Sequence, residues 1–201
     1  MDRRAFLATV GSAGAIGTAG CNGRFSSGST SLSPENPRFR VTDTEFEVAD
    51  ETGEFESLAL RGFNLGMAKP GRFPGEAAIT REEYDRWLAS MGELNANVVR
   101  VYTVHPPSFY RALAEYNRTH ADPIYLIHGN WIGEEDLVSA GDAFALSEAF
   151  DRSLRRVIDV VHGATSIEPT PGRASGTFDA DVSQYVLGYL AGIEWPPSVV
   201  I

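Results

Sequence analysis

Eight side chains in this sequence could do chemistry together. Asn64, Arg100, Tyr102, His128, Asn130, Trp131, Glu194 and Trp195 stand at or just after short apolar runs that read as strands. A carboxyl beside an indole at the end of an apolar strand has its pKa raised, which suits a general acid. An arginine inside an apolar strand needs a partner, because a lone buried guanidinium is costly. That partner is either a reacting carboxylate or a structural one, and Glu194 is either an acid or a surface loop carboxylate. His105 adds an imidazole to the set. Aromatic faces with a few polar groups make a cleft suited to a polar, ring-shaped ligand.

Other chemistries find less support. The four histidines, His105, His120, His128 and His162, have no close ligand spacing, so no metal site is expected. Gly62, Gly66, Gly71 and Gly75 do not form a dinucleotide-binding fingerprint, and no cofactor is expected. With 27 Asp+Glu against 17 Lys+Arg, the net charge is −10. A nucleic-acid partner needs a basic face, so none is expected. Only Lys69 among the basic residues is lysine. An acidic surface nearly free of lysine resembles proteins of salt-loving organisms, in which salt screens self-repulsion.

The elements that must position these residues follow from periodicity. Residues 38–48 alternate apolar and polar, with a turn at 50–53 and then Phe55, so a hairpin is expected to run into a first core strand, Leu58–Asn64. A glycine-rich loop follows. Thr80 and Glu83 form a capping box, with Ile79 and Tyr84 as its hydrophobic staple. Tyr84, Trp87, Leu88, Met91 and Leu94 make one helical face. Asn97–Thr103 reads as the second strand. Pro107 suits the first turn of a helix over 108–118. Ile124–His128 is the third strand, and Glu134-Glu135-Asp136 reads as a solvated helix start. A long helix is expected over 142–162 with Gly163 as its stop. Residues 164–181 read as a loop and Tyr185–Ala191 as the fourth strand. Strands alternating with amphipathic helices predict an α/β fold with a parallel sheet, its polar residues at the strand ends.

These strands resemble the first four of the (β/α)8 barrel in a superfamily of retaining glycoside hydrolases, the β-galactosidase and cellulase-like group. The resemblance is carried by Leu60-Arg61-Gly62-Phe63-Asn64, by Asn95–Tyr102 with Pro106-Pro107 and Phe109-Tyr110 after it, and by Tyr185–Trp195 (YVLGYLAGIEW). It implies a parallel (β/α) half-barrel over 38–201, preceded by the hairpin. It also implies a parent activity of retaining hydrolysis of O-glycosidic bonds, with a carbohydrate partner. Such hydrolysis uses two carboxyl groups about 5–5.5 Å apart. By the resemblance Glu194 is the acid/base and Arg100 orients the nucleophilic carboxylate. Asn64, Tyr102, His105, His128, Asn130, Trp131 and Trp195 then line the substrate. Ile193 stands where the family has an asparagine. The family's nucleophile lies on a seventh strand, and a closed barrel takes roughly 250 residues. The chain is therefore expected to hold the N-terminal half alone, truncated before the nucleophile. The other expectation is a non-catalytic, carbohydrate-binding remnant. Self-association is expected through the open edge of such a sheet.

Residues 1–21 look like an export signal. Arg3-Arg4, Phe6-Leu7 and a small-residue apolar run resemble a twin-arginine leader, too short to span a membrane. Thr18-Ala19-Gly20-Cys21 resembles a lipobox, which would lipidate Cys21, the only cysteine. Residues 22–37 are rich in Ser, Gly, Asn and Pro and read as a flexible tether. The expected location is the outer face of the cytoplasmic membrane, held there by lipid at Cys21.

Overall fold

The computed structural model describes residues 38–50, 52–192 and 195–199. The signal, the tether, Arg3, Arg4, Cys21 and Glu194 lie outside the described residues. Three short antiparallel strands come first: β1 (Phe39–Val41), β2 (Phe46–Ala49) and β3 (Phe55–Ser57). The β2–β3 turn is set by Asp50, whose Oδ1 accepts from the backbone of Thr52 at 2.7 Å and of Glu54 at 3.0 Å. The expected hairpin is thus a three-stranded meander.

The first core strand is shorter than expected. β4 covers Gly62–Leu65 rather than Leu58–Asn64. Leu58 N–H still donates to Phe46, at 2.7 Å, which keeps that stretch on the antiparallel sheet. The Arg61 N–H donates to the Asn97 side chain at 2.8 Å, so the ladder to the next strand starts only at Gly62.

The remaining elements are α1 (Arg81–Glu93), β5 (Val98–Val101), α2 (Pro107–Thr119), β6 (Tyr125–Gly129), α3 (Glu134–Ala140), α4 (Ser147–Val161), β7 (Thr165–Ile167), β8 (Gly176–Phe178) and β9 (Val186–Leu190). The capping box of α1 forms as read. Thr80 Oγ1 accepts from Glu83 N at 3.3 Å, and Glu83 Oε2 accepts from Thr80 N at 2.8 Å. Glu83 also holds Lys69, with Nζ–O distances of 2.8 and 2.9 Å. Pro107 is the first residue of α2, and Gly163 ends α4 with a φ of +63°.

Two expectations fail. The helix over 142–162 is interrupted: Asp142 is extended and caps a short 3-10 turn, Ala143–Leu146, so α4 begins at Ser147. The loop over 164–181 contains the β7–β8 hairpin. That hairpin docks on α2 through Arg111, which meets the Asp179 carboxylate at 2.6 and 2.8 Å, and through Phe178, whose ring lies edge-on to Tyr110.

The result is a mixed α/β fold with a four-stranded parallel sheet ordered β4-β5-β6-β9 and a separate antiparallel sheet, β1-β2-β3. Side chains alternate across the parallel sheet. Val99, Val101, Leu126 and His128 are fully buried among Tyr84 and Leu88 of α1, Phe109 and Leu113 of α2, and Val160 and Val161 of α4. Each buried aliphatic side chain there stabilises by about 1.5–3 kcal/mol. Arg100 and Ile127 lie on the alternate positions and are half-buried. The meander sits toward the strand starts, where Phe39 packs edge-on against Tyr125 at 5.2 Å.

Candidate site at the strand ends

The parallel sheet brings Asn64, Arg100 and Tyr102 together. Asn64 and Arg100 are register partners on β4 and β5. Asn64 is exposed. The Arg100 guanidinium carbon lies 4.6 Å from the centre of the Tyr102 ring, a cation–π contact. Its Nε is buried without a hydrogen-bond partner, and Arg100 is in no ion pair among the described residues. A buried unpaired donor of this kind costs free energy unless something accepts from it.

A second group forms at the ends of β6 and β9. Asn130 N–H donates to Leu190 O at 3.3 Å and closes the two strand ends. Asn130 is only 1% exposed; its Nδ2 donates to Phe150 O at 3.3 Å, and its Oδ1 is unpartnered. Trp195 stands edge-on to Phe150 at 6.2 Å, and its indole N–H is likewise buried and unpartnered. Trp131 is 45% exposed, so a face of it is open to solvent.

His105 and His128 are placed otherwise. Both are buried, on the helix side of the sheet, and present almost nothing to solvent. Tyr84 Oη lies 3.1 Å from His105 Nδ1. Tyr110 Oη accepts from His105 N at 3.2 Å and lies 2.8 Å from His128 Nε2. His128 Nδ1 lies 2.8 Å from Gly129 O. Burial pushes His105 down to about 3, helped by the neighbouring His128, and pushes His128 down to about 4 against the pull of the Gly129 carbonyl. Both rings are therefore neutral at pH 7, and their atoms are engaged by protein groups rather than offered to a ligand. Burial also raises Tyr84 and Tyr110 above the usual phenol range.

Tyr84 and Tyr110, which hydrogen-bond these histidines, read in the sequence as part of an apolar stripe and of a motif. Their hydroxyls gave no periodic signal. Tyr189, in register with His128 and 41% exposed, adds an open aromatic ring near the strand ends.

A cleft of about 550 Å³ lies at the opposite end of the sheet, lined by Arg61, Asn95, Asn97, Tyr116, His120 and Tyr125. Its central polar side chain is already satisfied: Asn97 accepts from Arg61 N at 2.8 Å and donates to Ala59 O at 2.9 Å. Three of the four buried, unpartnered side-chain atoms among the described residues, Arg100 Nε, Asn130 Oδ1 and Trp195 Nε1, are at the strand ends, and we place the site there; the fourth, Arg38 Nε, lies just before β1, where its guanidinium faces the Tyr185 ring. Among the described residues no group of three or more His, Cys, Asp or Glu side chains could hold a metal ion.

No family model, no curated protein and no solved structure matches this chain.

Proposed function

We propose that this chain is a glycoside-hydrolase-like protein, exported and held at a membrane surface by lipid on Cys21. One observation carries the fold part of the reading. The parallel strands stand side by side in chain order, β4-β5-β6-β9, with no reversal. A doubly wound nucleotide-binding sheet reverses its order at a switch point, whereas a barrel adds each strand beside the last. Helices α1, α2 and α4 also share one core against this sheet, as the outer layer of a half-barrel would. Asn64, Arg100, Tyr102, Asn130 and Trp131 then occupy successive strand ends, where barrel enzymes bind substrate. Glu194 follows β9 and is the proposed acid/base, with Arg100 as the residue that orients a carboxylate. The proposed ligand is a carbohydrate whose hydroxyls meet Asn130, Trp195 and Asn64.

The second reading is a non-catalytic carbohydrate-binding protein. It is favoured by Ile193, which cannot give the sugar the hydrogen bond that an asparagine there would.

Aryl-glycoside turnover and calorimetry with oligosaccharides separate the two. On the first reading Glu194→Gln lowers turnover about 10²–10⁴-fold while sugar binding survives. Turnover that withstands this change removes Glu194 from its role. Binding with no turnover in the parent chain supports the second reading, and no binding of any sugar sinks both. The anchor is tested separately: Cys21→Ser should move the protein from the membrane fraction to the soluble one. Continued membrane retention would rule out the lipid.

A further inference from the structure

The buried tyrosines and histidines form a chain of hydrogen bonds with one direction. A carbonyl only accepts, so His128 Nδ1 must carry the proton that goes to Gly129 O. His128 Nε2 is then an acceptor, and Tyr110 Oη donates to it. Tyr110 Oη meanwhile accepts from the backbone N–H of His105. Tyr84 Oη meets His105 Nδ1, and the His105 ring is also set against the backbone carbonyl of Leu65. No bond in the His105–Tyr110–His128–Gly129 stretch can be reversed without orphaning a neighbour.

The ends of this chain lie at strand termini. Leu65 is the last residue of β4, His105 follows β5 in the loop beyond Tyr102, and Gly129 is the last residue of β6. Asn64, Tyr102 and the buried Asn130 stand at or next to these same three places. Tyr84 and Tyr110, both under 2% exposed, come from α1 and α2, so the clamp is anchored in the helix layer.

We propose that Tyr110 is a positioning residue for the strand-end site: by donating to Nε2 of the His128 ring, whose Nδ1–H the Gly129 carbonyl fixes, and accepting from His105 N–H, it holds the Gly129–Asn130 peptide and the loop after β5 in one mutual arrangement. That the ends so held bind a carbohydrate rests on the reading above. That they are held does not, and the test below needs no ligand.

The experiment is nitrogen-15 NMR of the ring of His128 and amide exchange along the full chain. In the unaltered protein the His128 ring should carry its proton on Nδ1 and stay in that form from pH 8 to pH 5. A ring protonated on Nε2, or one that titrates near the ordinary histidine value, overturns the proposal without any variant. In Tyr110→Phe the His128 ring should keep its proton on Nδ1 and lose the hydrogen bond at Nε2, read as a shift of the Nε2 resonance. Exchange at the Asn130 amide should then quicken at least about tenfold more than at Leu88 in the middle of α1. Equal quickening at both amides would mean a general loss of stability and would refute the positioning role. Tyr84→Phe removes only the link to His105. It should loosen the Leu65 side of the clamp and leave the Asn130 amide and the His128 tautomer as they were; an equal effect on Asn130 would refute the stated direction of the chain.

Discussion

Between pH 7 and pH 4.5 this protein should lose about 5 kcal/mol of stability, nearly all of it through two side chains. His105 and His128 are buried and neutral, with folded values near 3 and 4. In the unfolded chain both return to about 6.5. Above that value neither state binds a proton and their contribution is complete. As the pH falls below 6.5 the unfolded chain takes up protons that the folded one refuses. Each imidazole then costs about 1.4 kcal/mol per pH unit, until its folded value is reached. The exposed carboxylates whose values are lowered, such as Glu83 and Asp179, add loss of the same sign only at lower pH. Urea denaturation at half-unit steps measures the slope. A midpoint that stays level from pH 6.5 to 4.5 would mean that these rings are solvated or already charged.

Gly62→Ala should destabilise the fold by about 3 kcal/mol or more, because overpacking against backbone cannot be relieved by turning a side chain. A Cβ on Gly62 would fall 1.9 Å from the Val98 carbonyl oxygen and 2.5 Å from Val98 Cγ1. Val98 is its register partner, so the clash drives β4 away from β5 and breaks the ladder where it begins. For a domain of this size the shift in Tm is about 2–4 °C per kcal/mol, or roughly 10 °C in all. Gly188 is the matched control: it lies in β9, and a Cβ there meets nothing within 4 Å. Thermal unfolding followed by circular dichroism should separate the two. If Gly62→Ala unfolds within 2 °C of Gly188→Ala, the close approach of β4 to β5 is not real. The glycine that reads as part of a sequence motif has, in the structure, a packing reason to be there.

Locally encoded features were legible in the sequence. Thr80 with Glu83, Pro107 opening α2 and Gly163 closing α4 each act within a turn or two of chain, and each stands where the pattern put it. Strands β5, β6 and β9 were legible because continuous apolar runs mark strands buried in a sheet. The β7–β8 hairpin was not: each strand has three residues, too few to alternate, and its order comes from Arg111 and Phe178 on distant elements. The break before α4 was missed because Asp142 is a weak signal inside a strongly periodic stretch. At the site, the strand-end placement of Asn64, Arg100 and Asn130 could be read from topology. The burial of His105 and His128 could not, since the partners that make it tolerable are hydroxyls on residues that pattern analysis counts as apolar.

The clasp between Lys69 and Glu83 has a practical side. Lys69 is the only lysine in the chain, so it is the sole side-chain amine that an acylating reagent can meet. Its Nζ is held by the same carboxylate that caps α1. Apart from a free N-terminal amine, an amine-reactive dye would therefore mark one known side chain, in the loop leaving β4. The rate at which it attaches would report how often that loop lets go of the helix.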